Sequence, residues 1–227
     1  MSIPNPTPTA IVSALSRETG LDPFSSPSPA LVSRLRALHR GYRSPGVRRE
    51  ASDAAYLWYF LPRAAARISR ILSAVLPSLR PRSLLDLGCG PASASLAVLA
   101  SEAGAALERI VLVDADRRVL PLAARLCRAA AGPGRDGLSL AMRRIDLSRP
   151  PGLPRDETYD LIVASSLLAE MADPRSPPAR GDSVLALWRR LFRLAGPGGA
   201  VILVEPATRE ISRSLLSRRD LILEEGA

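Results

Sequence analysis

A short apolar run, Ser83-Leu84-Leu85-Asp86-Leu87, ends in Gly88-Cys89-Gly90 and is followed by helical spacing from Ala92 to about Ala103. A buried strand closed by glycines and then a helix is half of a crossover unit, and it constrains the fold more than any other feature. The pattern repeats. Arg109 to Val113 is a second strand, ended by Asp114. Asp116 can cap a helix over Arg117 to about Ala131 by accepting backbone N–H bonds. Leu138 to Ile145, ended by Asp146, is a third strand, Asp160 to Ala164 a fourth and Ala200 to Val204 a fifth. A helical segment near Leu167 to Met171 and an amphipathic helix over Asp182 to Leu194 stand between the last two, with a stop at Gly196-Pro197-Gly198-Gly199. Thr208 caps a last helix to about Leu223. Strands alternating with helices predict an α/β fold, a doubly wound, mainly parallel sheet covered on both faces.

The first 80 residues read differently. Ala10 to Arg17 is a short helical pattern within a segment, residues 1–29, expected to be flexible. Leu31, Leu35 and Leu38 recur at helical spacing, which predicts a helix over Ala30 to Arg40. An aromatic stretch follows, Ser52 to Phe60, and Pro62 is placed to open a further helix, since proline suits a first turn. The expected organisation is therefore a helical region over residues 30–80 and a ligand-binding domain over residues 81–227.

Composition removes several function classes. No apolar run approaches the roughly 20 residues of a membrane span. The opening residues lack a basic stretch followed by an apolar one, so no signal peptide is expected and the expected location is the cytoplasm. There are two cysteines, Cys89 and Cys127, and one histidine, His39, too few for a structural zinc site or a disulfide framework, so no metal is expected. The net charge is +9 and every basic residue is an arginine. A polyanionic partner and a general compositional bias explain that charge equally well. The arginines between Arg34 and Arg49 are the best candidate for contacting phosphate, although such runs are usually only a solvated face.

In a doubly wound sheet a ligand binds beyond the carboxyl ends of the strands. Glycines at 88 and 90 allow a tight turn and a close approach, and the next helix points its N-terminus at the same place. A nicotinamide-type fingerprint wants an apolar residue two before the first glycine and a small one three after the second. Here Asp86 stands at the first of those positions and Ser93, in place of glycine or alanine, at the second, which disfavours that reading. A carboxylate at 86 suits a ligand carrying an ammonium group. Asp114, beside Ala115, is placed to accept hydrogen bonds from ribose hydroxyls, and Asp146 or the Leu147 backbone to meet an adenine edge. Ser165, Ser166 and Glu170 follow the fourth strand, where an acceptor would sit, but helix capping explains them more simply. Cys89 and Cys127 read as packing, and Trp58 and Tyr59 as core residues that could stack on bases.

Leu85 to Gly90, Val113-Asp114, Tyr159 to Val163 and Leu194 to Val204 together resemble, in the same order, the motifs of the class I methyltransferase superfamily. The resemblance implies a Rossmann-like methyltransferase fold and S-adenosylmethionine as cofactor. It implies Asp86, Gly88, Cys89, Gly90, Asp114, Ala115, Asp146, Leu147 and Ser165 as the residues that hold the cofactor. It assigns no catalytic residue. Methyl transfer from a sulfonium needs positioning and water exclusion rather than an acid–base triad. The run Ala164-Ser165-Ser166-Leu167 lacks the Pro-Pro signature of many amino-methylating sites.

Three runs, Ala55 to Pro62, Pro81 to Gly88, and Val204 to Thr208 with Arg218-Arg219-Asp220, further resemble the mitochondrial small-ribosomal-subunit methyltransferase-like family and its bacterial relatives. That implies ribosomal RNA or the small ribosomal subunit as partner. Two departures stand out. Pro91-Ala92-Ser93 replaces a glycine-rich continuation, and the chain stops at Ala227 without that family's cysteine-rich segment or the sixth and seventh strands. The expectation is a sheet without its last strands. The alternatives kept are a non-catalytic RNA-binding or ribosome-assembly factor and a small-molecule methyltransferase.

Overall fold

The computed structural model describes residues 9–22, 25–41, 54–75, 79–147, 153, 157–167 and 181–224. Three helices come first, α1 (Thr9–Thr19), α2 (Pro29–Gly41) and α3 (Ala54–Val75). They lead into β1 (Ser83–Leu87), α4 (Ser93–Leu99), a 3₁₀ turn (Glu102–Ala106), β2 (Arg109–Asp114) and α5 (Val119–Ala131). Then follow β3 (Ser139–Arg144), β4 (Tyr159–Ser165), α6 (Gly181–Leu194), β5 (Ala195–Val204) and α7 (Arg209–Glu224). The five strands form one parallel sheet in the order β3-β2-β1-β4-β5, so the doubly wound α/β fold expected from the alternation is the observed one.

The period-two alternation of strand side chains divides the core. Leu84, Ile110, Leu112, Leu161 and Val163 point to one face, where α1, α3, α4 and α5 cover them. Leu85, Leu87, Val111, Val113 and Ile162 point to the other, against Leu187, Trp188, Leu191 and Leu194 of α6 and Ile222 of α7. Burying each such side chain stabilises the fold by about 1.5–3 kcal/mol.

Four local expectations need correction. Residues 1–29 are not uniformly loose, because α1 buries Ile11, Ala14 and Leu15 in the core of the first face and Glu18 pairs with Arg125 of α5 at 2.6 Å. Pro62 does not open a helix but lies inside α3. The apolar face on both sides of it, Leu57 and Leu61 with Ala65 and Ile68, is packed against one core, which holds the helix together across the missing N–H. The helix after β1 ends at Leu99, where the Ser101 hydroxyl donates to the Val98 carbonyl at 2.7 Å and the chain tightens into the 3₁₀ turn. Asp116 does not cap α5 itself. Its carboxylate accepts from the Arg118 N–H at 2.9 Å, in the turn just ahead of the helix.

Strand β5 also begins earlier than expected, at Ala195, by running through Gly196-Pro197-Gly198-Gly199 with an irregular register: Tyr159 faces Ala195 and Leu161 faces Ala200. A Cβ on Gly199 would stand 2.8 Å from the Tyr159 carbonyl, so only glycine fits there. The expected helical segment at Leu167 to Met171 lies outside the described residues beyond Leu167, as does Glu170, and so do Arg43 to Arg49 of the basic run.

Candidate functional site

After β3 the chain returns to the other side of β1, so the topological switch point lies between β1 and β4. The residues that follow these two strands carry the strain. Gly88 and Gly90 have φ of +60° and +50°, Ala92 has +66° and Ser166 has +61°. Left-handed backbone is costly for residues other than glycine, of order 1–2 kcal/mol. Two non-glycine residues holding it at one strand edge mark a turn shaped by something other than local preference. Neither was legible in the sequence, since nothing in Ala or Ser announces a positive φ.

The structure brings Asp114 and the glycine turn together. One Asp114 oxygen accepts from the Gly90 N–H at 2.9 Å and the other from the Asp116 N–H at 2.8 Å. Each carboxylate oxygen keeps a second acceptor site. The Cys89 N–H donates to the Val113 carbonyl at 2.9 Å, which extends the β1–β2 register into the turn. A Cβ built on Gly90 would project into open space, the approach a ligand would use, whereas one on Gly88 would meet Leu167 at 3.2 Å.

Asp86 takes a different place. It lies on the same face as Leu84, toward α4, and is 1% exposed. Ser95 of α4 donates to one of its oxygens twice, from the backbone N–H at 3.0 Å and from the hydroxyl at 2.6 Å. Burial pushes its pKa up to about 6, against the lowering effect of the Ser95 bonds and with a further push from Asp114. In this geometry Asp86 fastens the first strand to the helix that opens the site and presents almost no surface of its own. Cys89 is also buried, and burial raises its thiol well above the ordinary range, which makes it an inert packing group.

The remaining expected residues surround the turn more loosely. Ser165 ends β4 opposite Val204 of β5. Ala115 is exposed just past β2, and its carbonyl accepts from Arg144 at 3.3 Å. Asp146 is exposed and Leu147 is packed against the second core face, both beyond β3, the outer strand on that side.

A cleft of about 1060 Å³ opens beside the switch point. Its floor comes from the strand ends, with Pro91 and Ser93 after β1, Ser166 after β4 and Pro206 after β5. Its wall is one face of α3, carrying Tyr56, Phe60, Arg63, Arg67 and Arg70. The aromatic residues singled out from sequence lie elsewhere. Trp58 donates its indole N–H to Thr19 at 2.8 Å and packs on the core, and the Tyr59 ring sits under the Arg63 guanidinium at 4.9 Å. Among the described residues no group of three or more His, Cys, Asp or Glu side chains is placed to hold a metal ion, and no helix is long and apolar enough to cross a membrane.

Residues 57–224, from the first turn of α3 to the end of α7, match a family model described as a methyltransferase domain. No curated protein matches the sequence. Similar solved structures include a cyclopropane-fatty-acyl-phospholipid synthase-like protein from Lactobacillus casei, at 21% identity over 67% of this chain and 53% of that one, with a TM-score of 0.47. Phosphoethanolamine N-methyltransferase 1 of Haemonchus contortus, in complex with phosphoethanolamine and S-adenosylhomocysteine, is 14% identical over 79% of this chain and 33% of that one, TM-score 0.46. Coclaurine N-methyltransferase, bound to N-methylheliamine and S-adenosylhomocysteine, is 15% identical over 88% and 58%, TM-score 0.44. The chain spans between 50% and 65% of the length of the first solved structures it matches.

Proposed function

The chain belongs to a family of methyltransferase domains, and from that premise we propose that it transfers a methyl group from S-adenosylmethionine to an acceptor seated in the cleft under α3. One observation supports this reading above the others. The Gly88–Gly90 turn and Asp114 are joined by a hydrogen bond, and the open side of Gly90 leaves room for a ligand at that point.

These residues fit the cofactor. Asp114 has free acceptor capacity for ribose hydroxyls, Gly90 offers backbone without a side chain, and α4 directs its N-terminus to the same edge. When bound, S-adenosylmethionine would supply a methyl already activated on a sulfonium sulfur, with a neutral thioether as the leaving group. The chain's own contribution is orientation. Asp86 and Ser95 hold α4 to β1, Asp114 holds the turn, and α3 closes the acceptor side. For the finer identity of the acceptor we put forward ribosomal RNA. The runs resembling the small-ribosomal-subunit family support it, and the charge of +9 is compatible with it.

Titration calorimetry with S-adenosylmethionine and S-adenosylhomocysteine tests the cofactor reading. Binding in the micromolar range, about −8 kcal/mol, is expected. Asp114→Ala should weaken it at least tenfold, about 1.4 kcal/mol. A folded protein that binds neither compound overturns the enzyme reading and leaves an RNA-binding or assembly role as its replacement. Methyl incorporation from labelled cofactor into small-subunit RNA, absent with Asp114→Ala, tests the acceptor.

A further inference from the structure

The cleft wall separates two kinds of chemistry along one helix face. At its first end Tyr56 and Phe60, one turn apart, stand with ring centroids 5.2 Å apart and planes tilted by 32°, both partly exposed. At the other end come Arg67 and Arg70, at the spacing that puts neighbouring side chains on one helix face, both exposed. The whole of α3 contains no Asp or Glu. Elsewhere many of the arginines are neutralised: Arg80, Arg82, Arg109, Arg118, Arg125 and Arg143 each pair with a carboxylate. Among the described residues no carboxylate pairs with Arg67 or Arg70, and Arg63 is turned onto the Tyr59 ring. A concave wall with cations of one sign concentrates anions at its surface. Guanidinium forks match phosphate oxygens in pairs of hydrogen bonds, and aromatic faces hold bases by stacking. From Phe60 to Arg67 the helix rises about 10 Å, the order of reach from a base to a phosphate along a nucleotide strand.

We propose that the cleft takes a nucleotide-bearing acceptor, with a base against Tyr56 and Phe60 and a phosphate on Arg67 and Arg70. This rests on the methyltransferase reading for its chemistry, but its binding step does not need the cofactor. The ligand chemistry, a base joined to a phosphate, is shared by an RNA segment and a free nucleotide.

The test measures anisotropy of a fluorescein-labelled, mixed-sequence single-stranded RNA with the full chain, in 50 and 200 mM salt, and its competition by AMP. The comparison is between the unchanged protein, the double variant Arg67→Glu/Arg70→Glu, and a charge-matched control, Arg128→Glu/Arg213→Glu, at exposed positions outside the cleft. Far-UV circular dichroism confirms folding of each. The expected result is at least a tenfold loss of RNA affinity in the cleft variant, less than threefold in the control, and a flatter salt dependence in the cleft variant. Tyr56→Ala, which leaves charge unchanged, should weaken RNA binding several-fold without altering the salt slope. If RNA does not bind but AMP does, by calorimetry and with the same Arg67/Arg70 dependence, the acceptor is a free nucleotide and the proposal stands. Equal losses in the cleft and control variants, or no binding of RNA or AMP, overturn it. S-adenosylhomocysteine titration of the same proteins separates the two failures. Intact cofactor binding with no cleft-dependent RNA or AMP binding sinks this proposal alone, and loss of cofactor binding in the unchanged protein sinks the enzyme reading alone.

Discussion

Two aspartates stand near opposite ends of the paired strands β1 and β4, and each is bound by one serine through the same pair of donors. At the amino end Asp160 accepts from the Ser83 N–H at 2.8 Å, the Ser83 hydroxyl at 2.9 Å and the Arg82 N–H at 2.8 Å. Toward the carboxyl end Asp86 accepts from the Ser95 N–H and hydroxyl. The pKa directions are opposite. For Asp160 burial pushes upward, but the Ser83 and Arg82 bonds and the Arg82 charge outweigh it, and the carboxyl titrates below its ordinary value. For Asp86 burial wins, and the nearby Asp114 adds to it. The same hydrogen-bonding motif is a structural fastening where water and an arginine are near, and holds a costly charge where they are not. The carboxyl edge, which carries the site, is where the molecule tolerates that cost along with left-handed Ala92 and Ser166.

The sharpest way to break this comparison is to remove each carboxylate in turn. Asp86→Asn should raise stability at pH 7.5 by about 2–3 kcal/mol, since a shift of one pKa unit corresponds to about 1.4 kcal/mol. The native state holds this proton more tightly than the unfolded chain, so the stability contributed by Asp86 falls as pH rises from about 4 to about 6 and is flat above. The gain should therefore vanish near pH 4 in urea unfolding. Equal gains at both pH values would show that no buried charge was relieved. Asp160→Ala should do the reverse, destabilising by about 1–3 kcal/mol at neutral pH by leaving backbone N–H groups without a partner. Its contribution is fully present above the unfolded value near 3.9 and is lost as pH falls through the lower folded one. A neutral or stabilising Asp160→Ala would erase the contrast. The smallest effect concerns strain alone. Ala92→Gly relieves the left-handed cost but gives up a buried Cβ and adds backbone freedom, for a net gain of at most about 1 kcal/mol, or about 2–4 °C in Tm.

Much of this was legible in the sequence for physical reasons that can be named. The first three strands are legible because their runs end in Gly or Asp, and the expected bounds of β1 are the observed ones. Even the inward turn of Asp86 was implicit, because period two puts it on the face of Leu84, the face α4 must cover. Ser95 as its partner was not, since that depends on the register of a helix against a strand. The α3 stripe was concealed differently. Pro62 divided the pattern in two, and only tertiary packing of Leu57, Leu61, Ala65 and Ile68 shows the helix to be continuous. Once it is continuous, Tyr56, Phe60, Arg67 and Arg70 fall on one side. Which element that side would face is long-range information that no local spacing carries.

Helix α1 has a consequence in time. It packs against α3 and, more extensively, against α5, and Glu18 lies 107 positions ahead of its partner Arg125. A ribosome adding about 5–20 residues per second would take roughly 5–20 s to supply that partner. Throughout that interval Ile11 and Leu15 have only α3 to pack on, so the growing chain carries a half-covered apolar helix until α5 emerges. Helix α1 therefore completes its packing only after α5 has been made.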